Sequence, residues 1–396
     1  MHKRILNGVF ALALALNLNM IPGASAADLP EATRKVLAEL KLDASILDGL
    51  DAELNVPKAW VDGAAKEDGV VILGTWRDNE FRDMTAAFQQ RYPSIKLAYN
   101  RATTSARGIK VVIALREGRV IADVLTSIAD SYVQFKRQKA FADLRDLPGF
   151  RNVAKDFAAP DGTWIAHKLS FRCLGYNTSL IKKADLPKTW DDLVSNPYWR
   201  SGKLALSNHP NSWLLALWAV KGEKWGQDFT RRLFTDLSPQ QRKEGMMATT
   251  GLTVAGETPA NLPAPERRVE TYADKGAPIG YHCPAPVPIT LSQIVMLEKA
   301  PRKNGARVFI NWLLSREGQL LQYATSGSVP IHKALQKPRF IPFADTILGK
   351  PTATRDEEVL GSDLHKAMLK SWSTYWTKVV EKKGKRKGKG KKKKSE

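Results

Sequence analysis

Between residues 70 and 141 short apolar runs alternate with amphipathic stretches, and that alternation restricts the chain to few folds. "VVILGTW" is a compact apolar run that opens onto Gly74 and Thr75. "RDNEFRDMTAAFQQRYP" follows with helical spacing and stops at Pro93. "SIKLAYNRATTSARG" predicts a strand and polar loop, "IKVVIALREG" a helix, "RVIADVLTSIAD" a strand and loop, and "SYVQFKRQKAF" a further helix. Buried strands alternating with helices indicate an α/β fold built on a mainly parallel sheet. In such sheets ligands bind beyond the carboxyl ends of the strands, in loops that feed helix N-termini. Three loops hold that position: Thr75-Trp76-Arg77, Ala102 to Ala106, and Thr126-Ser127.

The flanking segments follow other patterns. Residues 27–56 carry helical apolar spacing (Val36, Leu37, Leu40, then Ile46, Leu47, Leu50), which predicts two short helices ahead of the main body. "DGTWIAHKLSFRCLGYNTSLI" has long extended character and predicts a crossing between two lobes. "LPKTWDDLVSNPYWRSG" starts a helix, with Thr189 as N-cap and Asp192 at the capping-box position. "KLALSNHPNSWLLALWAV" reads as a strand, a polar loop and a strongly apolar helix. "NGARVFINWLLSREGQLLQYATSG" reads as a helix or helix pair with Phe309, Leu313 and Leu320 toward the core. A chain of 396 residues exceeds what one core usually supports, so two lobes are expected.

The two ends carry other information. "MHKR", the apolar "ILNGVFALALALNLNM" and "IPGASA" form a basic n-region, an h-region and a small-residue cleavage site. Cleavage before Ala27 and export of residues 27 onward are predicted, and no later stretch is long enough to span a bilayer. The tail "EKKGKRKGKGKKKKSE" holds ten Lys or Arg against two Glu, supplying +8 of the net charge of +21. Like charges repel and the glycines oppose helix, so residues 381–396 are expected to be disordered, in weak contact with anionic membrane or polysaccharide. The tail lacks the aromatics of a nucleic-acid module, and no specific nucleic acid is expected as partner. Two cysteines, Cys173 and Cys283, exclude a multi-Cys zinc site and leave open one disulfide or two buried thiols.

Signatures of catalysis are missing. The six histidines show no HExxH or comparable metal spacing, and there is no GxSxG elbow or Walker loop. Cys283 beside His282 does not make a nucleophile, since neighbours in sequence do not point at one substrate. An exported hydrolase or lyase would need a cleft carboxylate or His pair that the sequence does not reveal, and no enzyme is predicted.

"WVDGAAKEDGVVILGTW", "FQQRYPSIKLAYNR", "REGRVIADVLTS", "GYNTSLI", "LPKTWDDLVSNPYWRSGKLALS" and "ARVFINWLLSREGQLL" together resemble the periplasmic solute-binding proteins of bacterial ABC importers. They resemble most the class that groups ferric-iron, thiamine, polyamine and phosphonate binders. The resemblance covers about two thirds of the chain, from about Val56 to Ile331. It implies two α/β lobes joined by crossing strands, a small solute in the cleft, a membrane permease as partner, no cofactor and no catalytic residue. A monomer in the periplasm is expected. Lobe 1 is assigned residues 57–166 plus about 276–345, lobe 2 residues 167–275, and a C-terminal helix residues 346–380.

With that arrangement, lobe 1 would offer Thr75, Trp76, Arg77, Thr103, Thr104, Ser105 and Ser127 to the solute. Lobe 2 would offer Ser207, Asn208, His209 and Asn211 at a helix N-terminus that favours an anion, together with Thr249 and Thr250. Arg172 and Tyr176 lie on the first crossing, and Tyr281 and His282 on the second. Iron-binding members resemble one another in an adjacent Tyr pair, which this chain lacks, so a bare ferric ion is disfavoured and no metal ligand is assigned. The clustered Arg and hydroxyl residues suit an oxyanion such as a phosphonate or carboxylate, and Trp76 is expected to stack on a planar solute.

Overall fold

The computed structural model describes residues 29–128, 131–355 and 359–376. The expected signal peptide and polybasic tail lie outside the described residues.

Ten strands form one mixed sheet. They are β1 Val70–Gly74, β2 Leu97–Arg101, β3 Val124–Thr126, β4 Ile165–Asn177, β5 Leu204–Ser207, β6 Gln240–Arg242, β7 Ala260–Pro265, β8 Ile279–His282, β9 Val287–Met296 and β10 Thr352–Arg355. Their order is β2-β1-β3-β9-β4-β7-β5-β6, with β10 on β9 and β8 on β4. β1 runs parallel to β2 and β3, and β5 runs parallel to β6 and β7. The two parallel groups are the two lobes, and β4 and β9 join them. Residues 165–171 of β4 pair with β9, while residues 172–177 pair with β7 and β8. One long strand thus serves both lobes, as the extended character of the segment predicts.

Each lobe has an aromatic core because the helices present apolar residues every three or four positions. The helix Asp78–Arg91 buries Phe81, Met84 and Phe88, and Phe88 meets Phe309 and Trp312 edge-on. In the second lobe Trp190, Trp199, Trp213 and Trp218 are fully buried. Each such ring contributes about 4–6 kcal/mol of transfer free energy before entropy is counted. Phe309, Leu313 and Leu320 face the interior as expected, and Thr189 and Asp192 form a capping box.

The N-terminal extension (helices Glu31–Glu39 and Leu50–Leu54) docks on the helix pair Lys303–Leu314 and Arg316–Ser326. Buried carboxylates hold it there. Glu317 accepts from Thr33 at 2.6 Å and pairs with Arg91, while Glu53 accepts from the Arg316 backbone and guanidinium at 2.8 and 2.6 Å. Cys173 on β4 and Cys283 after β8 form a disulfide with Cα atoms 5.0 Å apart.

Three expectations are corrected. β8 lies in the residues assigned to lobe 1, but it hydrogen-bonds to β4 beside the second lobe's sheet. The segment 346–380 is not one helix. Residues Thr352–Arg355, after Pro351, form strand β10, and helix occupies 363–376 of the described residues. In "SNHPNS" a 3-10 turn, Pro210–Ser212, precedes the helix, which begins only at Leu214.

Candidate functional site

Where β1 and β3 end, four neighbouring strands bring polar residues to one level. Leu73 pairs with Leu125, Thr126 with Ile294, and Ala166 with Gln293, so Thr75, Thr126, Gln293 and His167 fall within about one strand step of each other at the strand ends, the mouth of the first lobe, with Thr126 and Gln293 on opposite faces of the sheet. Each carries a buried polar atom with no protein partner: Thr75 Oγ1, Thr126 Oγ1, both amide atoms of Gln293, and His167 Nε2. Buried polar groups are almost always satisfied, so this concentration demands water or a ligand. His167 sits at the irregular point of β4, with Nδ1 2.9 Å from Gln322 Oε1. An amide oxygen only accepts, so Nδ1 carries the proton and Nε2 is a free acceptor. Burial, reinforced by the Lys168 charge, pushes the His167 pKa down to about 3, so the ring is neutral.

Cations surround this mouth. Arg107, at the end of the short helix Thr104–Arg107, is buried and donates through its two Nη atoms to the carbonyls of Ala102 and Ser127, the latter at 3.0 Å. Its Nε has no partner, and no carboxylate pairs with it among the described residues. Burial lowers its pKa. Lys168, half-buried on β4, makes neither a hydrogen bond nor an ion pair with the described residues, and its ammonium lies 5.9 Å from the Trp76 ring. Burial pulls its pKa down to about 8, with Arg172 and Arg107 acting in the same direction against Glu80 and Glu266. Of those two carboxylates, Glu80 is shared with Arg77 and Glu266 with Arg172. Arg172 reaches from β4 to Glu266 at the C-terminal end of β7, and burial raises the Glu266 pKa while Arg172 opposes it. The His209 pKa is lowered by the surrounding protein and by Arg172. Arg107 and Lys168 are therefore cations without an ion pair among the described residues, within electrostatic range of each other.

Of the residues expected to hold the solute, Thr75 and Ser127 line this mouth. Ser127 adopts a positive φ of 54°, and its carbonyl receives Arg107. Arg172 lies within electrostatic range of both Lys168 and His209, and His209 is exposed on the loop after β5. Thr103 caps the turn before Ala106 at 3.3 Å, and the backbone of Thr104 and Ser105 enters the short helix, their side chains lying outside the described residues. Arg77 is exposed and pairs with Glu80.

Trp76 is not a stacking platform. It is 1% exposed, enclosed by Phe81, Tyr99 and His167, and donates its N–H to Gln322 at 3.2 Å. Tyr176 and Tyr281 are also core residues. Tyr281 stacks on Phe343 and accepts from the Cys173 N–H, and a Cβ on Gly280 would collide with the Tyr176 ring. His282 is bonded to the Pro187 carbonyl at 2.8 Å. Ser207 and Thr249 bond to each other at 3.0 Å, and Thr250 receives Asn261, all buried. Asn208 and Asn211 accept from Trp372 and His365 of the C-terminal helix.

Thr126 was expected in a solute-facing loop but not among the contacts, and Arg107, His167, Lys168, Glu266 and Gln293 were not expected at the site. A signal existed for two of them. His167-Lys168 places two ionisable residues side by side between Ile165-Ala166 and Leu169, in a strand that must be buried, and charges there require compensation.

Comparison with known proteins extends the geometry. Residues 83–348 match the profile of bacterial extracellular solute-binding proteins. No curated protein matches the sequence. Among solved structures, iron-bound HitA from Pseudomonas aeruginosa is similar at 20% identity and a TM-score of 0.61, covering 78% of this chain and 99% of its own. An IdiA (FutA) structure from Trichodesmium with iron and citrate is similar at 15% identity and a TM-score of 0.65, with the same coverage. AfuA from Actinobacillus pleuropneumoniae with fructose-6-phosphate bound gives 17% and 0.59, again covering 78% and 99%. At these identities the likeness establishes the two-lobed fold.

Proposed function

The chain belongs to the bacterial extracellular solute-binding proteins, and from that premise we propose that it captures an anionic organic solute between its lobes and delivers it to an ABC-type permease. The observation that carries the anionic choice is the pair of cations that form no ion pair among the described residues, Arg107 and Lys168, at the strand mouth. A buried, uncompensated cation is costly, and an anion that accepts its hydrogen bonds offsets that cost. The neutral His167 acceptor and the unpartnered Gln293 amide and threonine hydroxyls suit the hydroxyl or carbonyl groups of an organic body. With Arg172 and His209 taken as the second lobe's contacts, a solute touching both sides would favour the closed arrangement by its differential contacts.

A bare ferric ion fits less well. Among the described residues no three His, Cys, Asp or Glu side chains come together as a metal centre, and Tyr176 and Tyr281 are taken up by the core. A thermal-shift panel tests the reading, using a sugar phosphate, a phosphonate, spermidine and ferric citrate as probes. An anionic organic probe should raise the melting temperature, and Lys168→Met should reduce the rise. Stabilisation by spermidine alone, or by iron without an organic anion, would overturn it.

Residues 1–26 are read as the export signal and residues 381–396 as a weak envelope tether. Deleting 382–396 should lower association with anionic vesicles, and unchanged association would remove the tether.

A further inference from the structure

The family profile ends at residue 348, yet the chain beyond it is built into the lobes and their junction. β10 pairs in parallel with Val287–Thr290 of β9, one of the two strands that join the lobes. Thr290, the partner of Arg355, also donates its hydroxyl to the Ser212 carbonyl at 2.9 Å, tying the joining strand to the second lobe's loop 208–212. Farther along, Gly361 lies against the first lobe, since a Cβ built there would sit 3.1 Å from Val133. Leu360, Met368 and Trp372 then bury themselves in the second lobe's core, with Phe234 edge-on to Trp372 at 5.0 Å and Trp376 stacked on Trp372.

The same helix grips the loop that carries His209. Trp372 Nε1 donates to Asn208 Oδ1 at 2.8 Å, and His365 Nε2 lies 3.0 Å from Asn211 Oδ1. The Gly361 N–H donates to His365 Nδ1 at 2.9 Å, so Nε2 carries the proton that Asn211 receives. Helix and loop frame an open cavity of about 690 Å3, lined by His209, Pro210, Leu369 and Trp376 among others. Trp372 and His365 are themselves buried, so their contact with the loop combines these two hydrogen bonds with packing.

We propose that β10 and residues 359–376 form a strap that restrains the opening of the solute cleft and holds loop 208–212 in its solute-facing position. The strap touches the first lobe at Val133, the joining strand β9 and the second lobe. Separating the lobes requires one of these contacts to slide or break. Asn208 and Asn211 thereby become positioning residues rather than solute ligands. The proposal rests on the solute-cleft reading, and its test is chosen to be separable from it.

The test is a distance measurement between spin labels on Ile113→Cys in the first lobe and Leu180→Cys in the second, both exposed helix or loop positions. It is made without any ligand, by double electron–electron resonance, on the full chain and on a chain ending at Lys350. The full chain should give one narrow distribution and the truncated chain a broader one shifted to longer distance. Identical distributions would overturn the strap. If truncation alters the circular-dichroism spectrum, the full-length variant Trp372→Phe/His365→Ala decides with the same two outcomes. In the full chain the sugar-phosphate probe should also bind about fivefold or more tightly than in the loosened variant. Absence of probe binding in every form would count against the solute assignment and leave the distance result to judge the strap.

Discussion

Raising the pH should weaken solute binding, and Lys168 sets the window. Its pKa is about 8 in the free protein against an ordinary 10.5. An anion bound against the ammonium reverses the penalty of burial, returning the pKa toward the ordinary value. The complex then keeps a proton that the free protein loses above pH 8, so binding takes up a proton and affinity falls as pH rises. If the whole difference is recovered, the coupling is about 3 kcal/mol at 1.36 kcal/mol per pH unit. The dissociation constant should be flat up to about pH 8, about tenfold larger at pH 9 than at pH 7, and rise about a decade per pH unit beyond. A sugar-phosphate probe serves because its second ionisation, with a pKa of about 6, is nearly complete by pH 7. Titration calorimetry in two buffers of different ionisation enthalpy would count the proton directly. Lys168→Met should bind more weakly at every pH and lose the dependence. A constant affinity from pH 7 to 9.5 in the unmodified protein would refute the placement of Lys168 against the solute.

Other perturbations separate binding from stability. Arg107→Met should cost about 2–3 kcal/mol of probe affinity, as for a lost charged hydrogen bond, with at most a small fall in melting temperature from the Ala102 and Ser127 carbonyls left without their donor. A fall in melting temperature with unchanged affinity would make Arg107 structural. Cys173→Ala/Cys283→Ala opens a disulfide that spans 110 residues, and urea denaturation should show a loss of roughly 4–5 kcal/mol on the chain-entropy account. Glu317→Leu removes a buried carboxylate that serves Thr33, Arg91 and Trp312. It should destabilise by roughly 3–5 kcal/mol in the same assay, with probe affinity of the folded protein unchanged.

The strand mouths were legible because their signals are local. A compact apolar run ending in Gly74 and Thr75, and another ending in Thr126 and Ser127, each mark a strand and the loop that follows it. Long-range relations set the rest. Trp76 follows the same strand end as Thr75, but its ring turns into the core because Gln322, on a helix 246 residues later, receives its N–H. Thr249, Thr250 and Tyr281 are polar in sequence and internal in the fold, their hydroxyls satisfied by partners that local spacing cannot name. Arg107 reads as an ordinary basic residue at a helix end, and only the approach of Ser127 from another strand turns it inward. The grip of Trp372 and His365 on loop 208–212 spans about 150 residues. Periodicity carries no information at that range.

Native mass spectrometry of the protein isolated from the cells that export it tests the central claim most directly. One equivalent of an anionic organic molecule should accompany the unmodified protein and be absent from Arg107→Met/Lys168→Met. A bound metal ion without an organic anion, or the same molecule retained by the double variant, would contradict the assignment of this cleft.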